Sequence, residues 1–156
     1  MTMRKFEIRT EPVEIHAPID LVWTVLTEVD KYRDWNPFTP RVQTDFSIGS
    51  PANLLVRMGP AKFRIAESMC AFEKTRLIAW EKTFGALWLL HAVREQHLEP
   101  AGKTRCSYHN TDRLTGVLAP MVLVCFGGYM RRGFDDVAEG LKARAEALDA
   151  ETGTNG

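Results

Sequence analysis

The 156-residue chain has no excess of either charge: 20 basic residues balance 20 acidic ones, and neither sign forms a long run. That argues against nucleic acid, whose recognition needs a basic face. It also gives no reason to expect an anionic membrane as partner. Cysteine is scarce. Cys70, Cys106 and Cys125 are odd in number and far apart, without a Cys-x-x-Cys pair, so neither a zinc ribbon nor a redox dithiol is indicated. Three lone thiols fit a reducing compartment. The first ten residues lack the apolar core of a signal peptide, and a cytoplasmic protein is expected. Histidine ligand patterns are missing too. His91 and His97, if on one strand, would stand about 20 Å apart at about 3.3 Å per residue. His16 and His109 have no ligand pattern around them, so no metal site is expected. No His-Glu-x-x-His, Gly-x-Ser-x-Gly or phosphate loop occurs. The pair Gly127-Gly128 follows no strand, which excludes a nucleotide loop.

What is present is concentrated at the end of the chain. Pro120 suits the first turn of a helix, where its missing N–H costs nothing. Val124, Gly127, Arg131, Phe134, Val137, Ala138, Leu141, Ala145 and Leu148 then recur three or four apart, which predicts a long helix over residues 116–148. Its second half is amphipathic. Its first half is apolar nearly all round over about 14 residues, too short for a bilayer span of roughly 20. It must be covered, and the upstream chain supplies strands to cover it.

Residues 6–15 predict an edge strand with a bulge at Pro12. Residues 20–28 carry Val22, Trp23 and Leu26 at helical spacing, a series that Val29 continues, and a second short helical turn ends before Pro37. From Arg41 the apolar period switches to two. Strands are expected at 42–46, 53–58, 62–72, 77–83, 87–98 and 104–114, joined by short turns rich in Gly and Pro, hence antiparallel neighbours. The order is one strand, two short helices, six strands and one long helix. That makes an α+β domain over residues 1–150, with 151–156 expected as a disordered tail.

Several local sequences match a known pattern. They are Ile15-His16-Ala17-Pro18 followed by Val22-Trp23, then Tyr32 through Trp35-Asn36-Pro37-Phe38, and Arg76-Leu77 with Trp80. Leu98-Glu99-Pro100, Thr104-Arg105 and the stretch from Gly116 to Pro120 complete the set. In this order, spread over residues 6–148, they resemble the SRPBCC (START-like) superfamily, in its polyketide cyclase/dehydrase-like branch. The last strand, 104–116, runs longer than the family's usual pattern. The resemblance implies a helix-grip fold: a curved antiparallel sheet of about seven strands wrapped on the C-terminal helix, with two short helices after strand one. The superfamily includes cyclases, hydroxylase subunits, lipid-transfer proteins, hormone receptors and chaperone cofactors, and fold does not choose among them.

In such a fold one face of each strand looks at the helix and a cavity. On 61–71 the odd positions Phe63, Ile65, Met69 and Ala71 are apolar, so odd parity points inward and carries Glu67 with it. A buried carboxyl there would be raised in pKa and suited to proton transfer, or would sit near the mouth or beside an arginine. Leu54 and Val56 form an apolar wall that also suits plain core packing. On 87–98 two parities compete, Leu89, His91, Val93, Glu95 and His97 against Leu90, Ala92, Arg94, Gln96 and Leu98; the family match favours the second as inward, and the alternative leaves Arg94 on a solvated outer face. Facing inward, Arg94 would clamp a ligand carboxylate or enolate, or pair with Glu67. Tyr108, Asn110 and Asp112 share a face; Tyr108 and Asn110 are orienting hydrogen bonders, or Tyr108 is a core aromatic with its hydroxyl satisfied. Trp35, Phe38, Trp80 and Trp88 belong to the mouth or floor. Met121, Cys125 and Tyr129 would look into the wide end of the cavity, or equally serve a contact between two copies as a homodimer.

Three functions follow. The first is a carrier of a small hydrophobic molecule such as a lipid, polyketide, terpenoid or aromatic metabolite. The second is a cofactor-free cyclase, dehydratase or isomerase in which Arg94 and Tyr108 stabilise an enolate and Glu67 or Asp112 moves the proton. The third is a chaperone-cofactor-like interaction protein with a filled core. None needs a cofactor, nucleic acid or stable membrane insertion.

Overall fold

The structure, a computed structural model, describes residues 4–154. Strands β1 (Lys5–Arg9) and β2 (Val13–Ile15) are followed by helix α1 (Ile19–Thr27) and a 3₁₀ helix (Val29–Asp34). Then come β3 (Arg41–Gln43), β4 (Pro51–Met58), β5 (Ala61–Glu73), β6 (Leu77–Thr83), β7 (His91–Pro100) and β8 (Cys106–Thr115), and finally helix α2 (Ala119–Thr154). All strand pairs are antiparallel, in the order β1-β8-β7-β6-β5-β4-β3, with β2 also on β8. This is the helix-grip architecture that the order of elements predicts.

The break between β1 and β2 falls at Pro12, which has no N–H to give to a ladder. Arg9 pairs with Thr111 and Val13 with Tyr108, so one extra residue is accommodated and the inward parity changes. Ile8 and Ile15 both end up inside.

Four expectations are corrected. The strand predicted from residue 42 to 46 stops at Gln43, because Thr44 and Asp45 side chains capture the N–H groups of Phe46 and Ser47 and turn the chain. The strand predicted from 87 begins at His91. Residues 84–90 form a loop closed by Phe84 N–H to the Leu90 carbonyl (2.9 Å) and Leu90 N–H to the Ala86 carbonyl (3.2 Å). Odd parity on β5 holds only as far as Met69. Met69 pairs with Trp80 and Ala71 with Ala79, so Cys70 is an extra residue; Ala71 turns outward and Phe72 inward, against Trp23 and Phe46. Finally, residues 151–154 continue α2, where a disordered tail was expected; 155–156 lie outside the described residues.

Helix α2 buries Met130, Phe134, Val137, Ala138, Leu141 and Ala145 against the sheet. Toward its start the inward stripe is Leu123, Phe126 and Met130. Val124 and Arg131, expected on that face, are exposed. Where every residue is apolar, periodicity cannot say which side is covered. Two glycines let the chain segment after the 3₁₀ helix approach α2. A Cβ on Gly133 would stand 2.1 Å from the Phe38 ring, and one on Gly140 would stand 2.1 Å from the Trp35 carbonyl oxygen.

Gly140→Ala is therefore expected to destabilise the fold by about 1–3 kcal/mol through overpacking, despite alanine's helix preference of about 1 kcal/mol over glycine. Gly128, on the same helix, has open space around it. Gly128→Ala is expected to stabilise by up to about 1 kcal/mol. Urea midpoints for the two variants should move in opposite directions.

Candidate functional site

Strands β6, β7 and β8 point a band of polar side chains at α2. Arg94 lies directly across from Trp80 on one side and Asp112 on the other; Gln96 lies across from Asn110. All five are buried. The inward set on β7 is thus the one that includes Arg94. On the neighbouring strands β4 and β5 the inward set is mostly apolar: Leu54, Val56, Phe63 and Ile65, with Glu67 as the exception.

Arg94 occupies an aromatic box. Its guanidinium carbon is 4.8 Å from the Phe134 ring centre, 5.3 Å from Phe38 and 5.7 Å from Trp80. One terminal nitrogen donates to Thr39 Oγ1 at 3.2 Å. No ion pair joins Arg94 to Glu67 or Asp112 among the described residues, so the alternative of a direct Glu67–Arg94 pair is not realised. Its Nε has no hydrogen-bond partner, and neither do Trp80 Nε1, Asn110 Oδ1 and Asp112 Oδ1. Four orphaned polar atoms on three adjacent strands depart from the rule that buried polar groups are satisfied.

The two carboxyls respond to this setting. Burial pushes Asp112 up to about 8, with Arg94 pulling it down and Glu67 adding to the rise. Burial likewise raises Glu67 to about 7, opposed by Arg94 and by Lys82, which also turns inward on β6. Around neutral pH at least one of the pair holds a proton.

Tyr108 is deep in the core. Its hydroxyl donates to Gln96 Oε1 at 2.8 Å and accepts from Asn110 Nδ2 at 3.2 Å. Burial lifts it to about 12. Asn110 Nδ2 also reaches the Phe134 carbonyl at 3.4 Å, which ties β8 to α2. Tyr32, on the 3₁₀ helix, is equally buried and donates to the Leu26 carbonyl. Tyr32, Thr39, Gln96 and Lys82 were not picked out as site residues from sequence. Gln96 and Lys82 could have been found by parity, two residues from Arg94 and Trp80. Tyr32 and Thr39 lie on irregular segments with no period to read.

The remaining candidates separate. Phe63 is partly exposed and meets Phe126 edge-on at 5.9 Å, while Ile65 and Glu67 are half-buried, so this part of the inner face is incompletely covered. Trp35 packs edge-on to Tyr32 at 4.9 Å and wedges against Gly140. Trp88 sits in the 84–90 loop and is 63% exposed, away from the inner face. Met121 and Cys125 point to the outside of α2, the consequence of the misplaced helical stripe. Tyr129 lies over Gly59 at the β4–β5 turn. The expected cavity between sheet and helix is occupied at its deep end by Phe38, Trp80, Phe134 and Met130. Two open concavities flank it. One of about 720 Å³ runs along the β3–β5 edge past Arg33, Arg41, Leu55 and Arg64. The other, about 410 Å³, is walled by Phe38, Arg57, Tyr129, Arg132 and Asp136. Phe38 thus lines this second concavity and also stacks on Arg94. Among the described residues, no group of three or more His, Cys, Asp or Glu could hold a metal ion.

A curved antiparallel sheet gripping a long helix, with a polar band under an aromatic box, places the chain in the helix-grip class. It belongs to the family described as polyketide cyclase / dehydrase and lipid transport, whose profile matches residues 6–146. A search of curated proteins finds no match. Among solved structures, it is similar to the Zhui aromatase/cyclase of Streptomyces sp. R1128, at 21% identity and a TM-score of 0.71 over 93% of this chain and 94% of that one. It is also similar to a START superfamily protein of Mycobacterium smegmatis (15%, 0.69, covering 91% and 98%). Norcoclaurine synthase of Thalictrum flavum shares the fold as well (15%, 0.67, covering 90% and 86%). No helix among the described residues is long and apolar enough to cross a membrane.

The buried carboxyl generates a prediction about stability. Asp112 holds its proton in the folded state up to about 8, against an ordinary value of 3.8. The unfolded chain therefore loses that proton first, and this group's contribution falls as pH rises between those two values. Asp112→Asn should remove the effect. Its melting temperature should exceed that of the wild type by a margin that grows from pH 4 to pH 8. A gain on the order of 2 kcal/mol corresponds to about 4–8 °C in a chain of this size.

Proposed function

We propose that the protein binds a small, mainly apolar molecule carrying an oxygen acceptor, with its body against β4 and β5 and its polar end on the β6–β8 band. The observation that carries this reading is the set of four buried, unpartnered polar atoms around Arg94. Arg94 Nε and Trp80 Nε1 are free donors, and Asn110 Oδ1 and Asp112 Oδ1 are free acceptors. A ligand with a carbonyl or carboxylate next to a hydroxyl would satisfy both kinds. The apolar side chains Leu54, Val56, Phe63 and Ile65 supply the wall for the rest of it. Entry is through the concavity beside Tyr129, past Phe38. Tyr108 acts as a positioning residue, its hydroxyl held by Gln96 and Asn110.

A second reading, a cofactor-free cyclase, dehydratase or isomerase, is favoured by the carboxyl pair. Arg94 would hold a developing oxyanion. Asp112, protonated near neutral pH, would donate a proton, and Glu67 in its ionised form would accept one. Both readings use the same residues and differ only in whether bonds change. The chaperone-cofactor reading accounts for the occupied deep end of the interior but leaves the four unpartnered polar atoms of the β6–β8 band without a role.

Native mass spectrometry of the purified protein, followed by extraction under denaturing conditions, tests the first reading. The expected result is an adduct of a small oxygen-bearing molecule that is lost or weakened in Arg94→Met. Removing a charged hydrogen-bond donor should cost about 1.5–3 kcal/mol, roughly 10- to 100-fold in affinity. An adduct held equally well by Arg94→Met would refute the role of the polar band. For the second reading, turnover of any identified ligand should fall above about pH 8 as Asp112 loses its proton, and Asp112→Asn, which has no carboxyl proton to donate, should lose turnover across the whole pH range.

A further inference from the structure

The balanced overall charge conceals an uneven distribution. Residues 54–66, 82–94 and 113–134 contain none of the 20 acidic residues. These three stretches meet around the first half of α2. The 84–90 loop is tied to its start by Val117 N–H to the Trp88 carbonyl and Leu118 N–H to the Leu89 carbonyl, both 3.0 Å. The β4–β5 turn reaches it through Gly59 under Tyr129, and Phe63 reaches it through Phe126.

On the outside of this half of the helix stand Met121 and Val124, preceded by Val117 in the turn that leads into α2. Val117, Met121 and Val124 are 66%, 54% and 86% exposed, and Leu87 and Trp88 beside them are 59% and 63% exposed. Scattered apolar side chains on a surface are ordinary; a contiguous apolar stripe joined to an exposed loop tryptophan marks a contact surface. Arg57, at the β4–β5 turn beside Tyr129, and Arg131 and Arg132 on the helix border it, all exposed and without ion-pair partners among the described residues. The nearest acidic side chains along the helix, Asp135 and Asp136, begin only beyond this half.

We infer that this face docks peripherally on an anionic lipid bilayer. The apolar stripe and Trp88 enter the headgroup boundary, and the arginines lie against the lipid phosphates. A second copy of the chain fits less well. An isologous contact would bring two mainly basic rims together, with only Asp136 at the edge of each to answer Arg57, Arg131 and Arg132. The docking face lies beside the concavity at Tyr129 and the half-covered residues Phe63 and Ile65, so the entrance to the inner face would open toward the membrane surface. The inference concerns the exterior of α2 and does not depend on what the inner face binds.

The test is co-sedimentation of the full chain with vesicles of phosphatidylcholine and phosphatidylglycerol in equal parts, against vesicles of phosphatidylcholine alone. Binding is expected only to the anionic vesicles and should weaken with added salt. It should be accompanied by a blue shift in tryptophan emission that is absent in Trp88→Phe. Val124→Asp alters an exposed position and keeps the fold, as circular dichroism would check; it should abolish binding. The double variant Arg131→Glu with Arg132→Glu should weaken it at least about tenfold. Failure to bind anionic vesicles at low salt overturns the inference, as does binding unchanged by Val124→Asp. So does a dimer in light scattering that Val124→Asp converts to monomer, since the stripe would then be covered by a second copy. Vesicle binding and ligand retention are separate readouts, and failure of one leaves the other standing.

Discussion

A guanidinium without a counter-ion, enclosed by Phe38, Trp80 and Phe134, is the constraint around which the interior is arranged. Burying a charge is costly unless something compensates. Here the compensation is the faces of three rings, one hydroxyl from Thr39, and two carboxyls that are themselves buried. The carboxyls are too poorly solvated to ionise readily, and the arginine cannot give up its proton. The interior therefore carries positive potential that the protein's own acids neutralise only in part. The elements that create this state come from far apart in sequence: the segment after the 3₁₀ helix, three strands, and the middle of α2. It exists only when the domain is closed.

The sheet divides its work. On β4 and β5 the inner face is almost wholly aliphatic or aromatic, whereas β6, β7 and β8 gather the hydrogen-bonding groups. Within the polar part, Tyr108, Gln96 and Asn110 bond to one another and to α2, so their positions are fixed. Arg94, Asp112 and Trp80 retain spare capacity. Fixed groups beside unfilled ones are what a site needs if it is to recognise something without rearranging. The proteins that share this fold at 15–21% identity include an aromatase/cyclase, a norcoclaurine synthase and a START superfamily protein. The fold by itself is thus compatible with more than one use.

Sequence carried the element order and fold class, because alternation with a period of two and a long apolar helix have few architectural solutions. It also carried the shared face of Tyr108, Asn110 and Asp112, since one strand residue fixes its neighbours two away; on the strand of Arg94 alternation left both parities open, and only the family resemblance favoured the inward one. It failed where no period exists. In the first half of α2 every face is apolar, so the covered side was misassigned and Met121 and Cys125 were turned the wrong way. Trp88 was assigned to a strand, but it lies in a loop whose closure rests on backbone hydrogen bonds with no side-chain signature. Tyr32 and Thr39 reach the site from irregular segments, and the space that Phe38 and Phe134 fill is a property of packing that no local pattern reports. The zero net charge concealed an asymmetry that appears only when acid-free stretches are placed side by side.

The extra residue at Cys70 separates β5 into two phases: Phe63, Ile65, Glu67 and Met69 face inward before it, Phe72 after it. The first phase serves the interior around Arg94, and the second anchors Trp23 of α1 and the Phe46 turn. The bulge uncouples the two. Substitutions can accumulate on either side without disturbing the other, but the count of residues between them cannot change. A chain shortened by one at this point must turn either Glu67 or Phe72 toward solvent. Related chains should accordingly vary in the identity of the residue at 70 far more readily than in its presence.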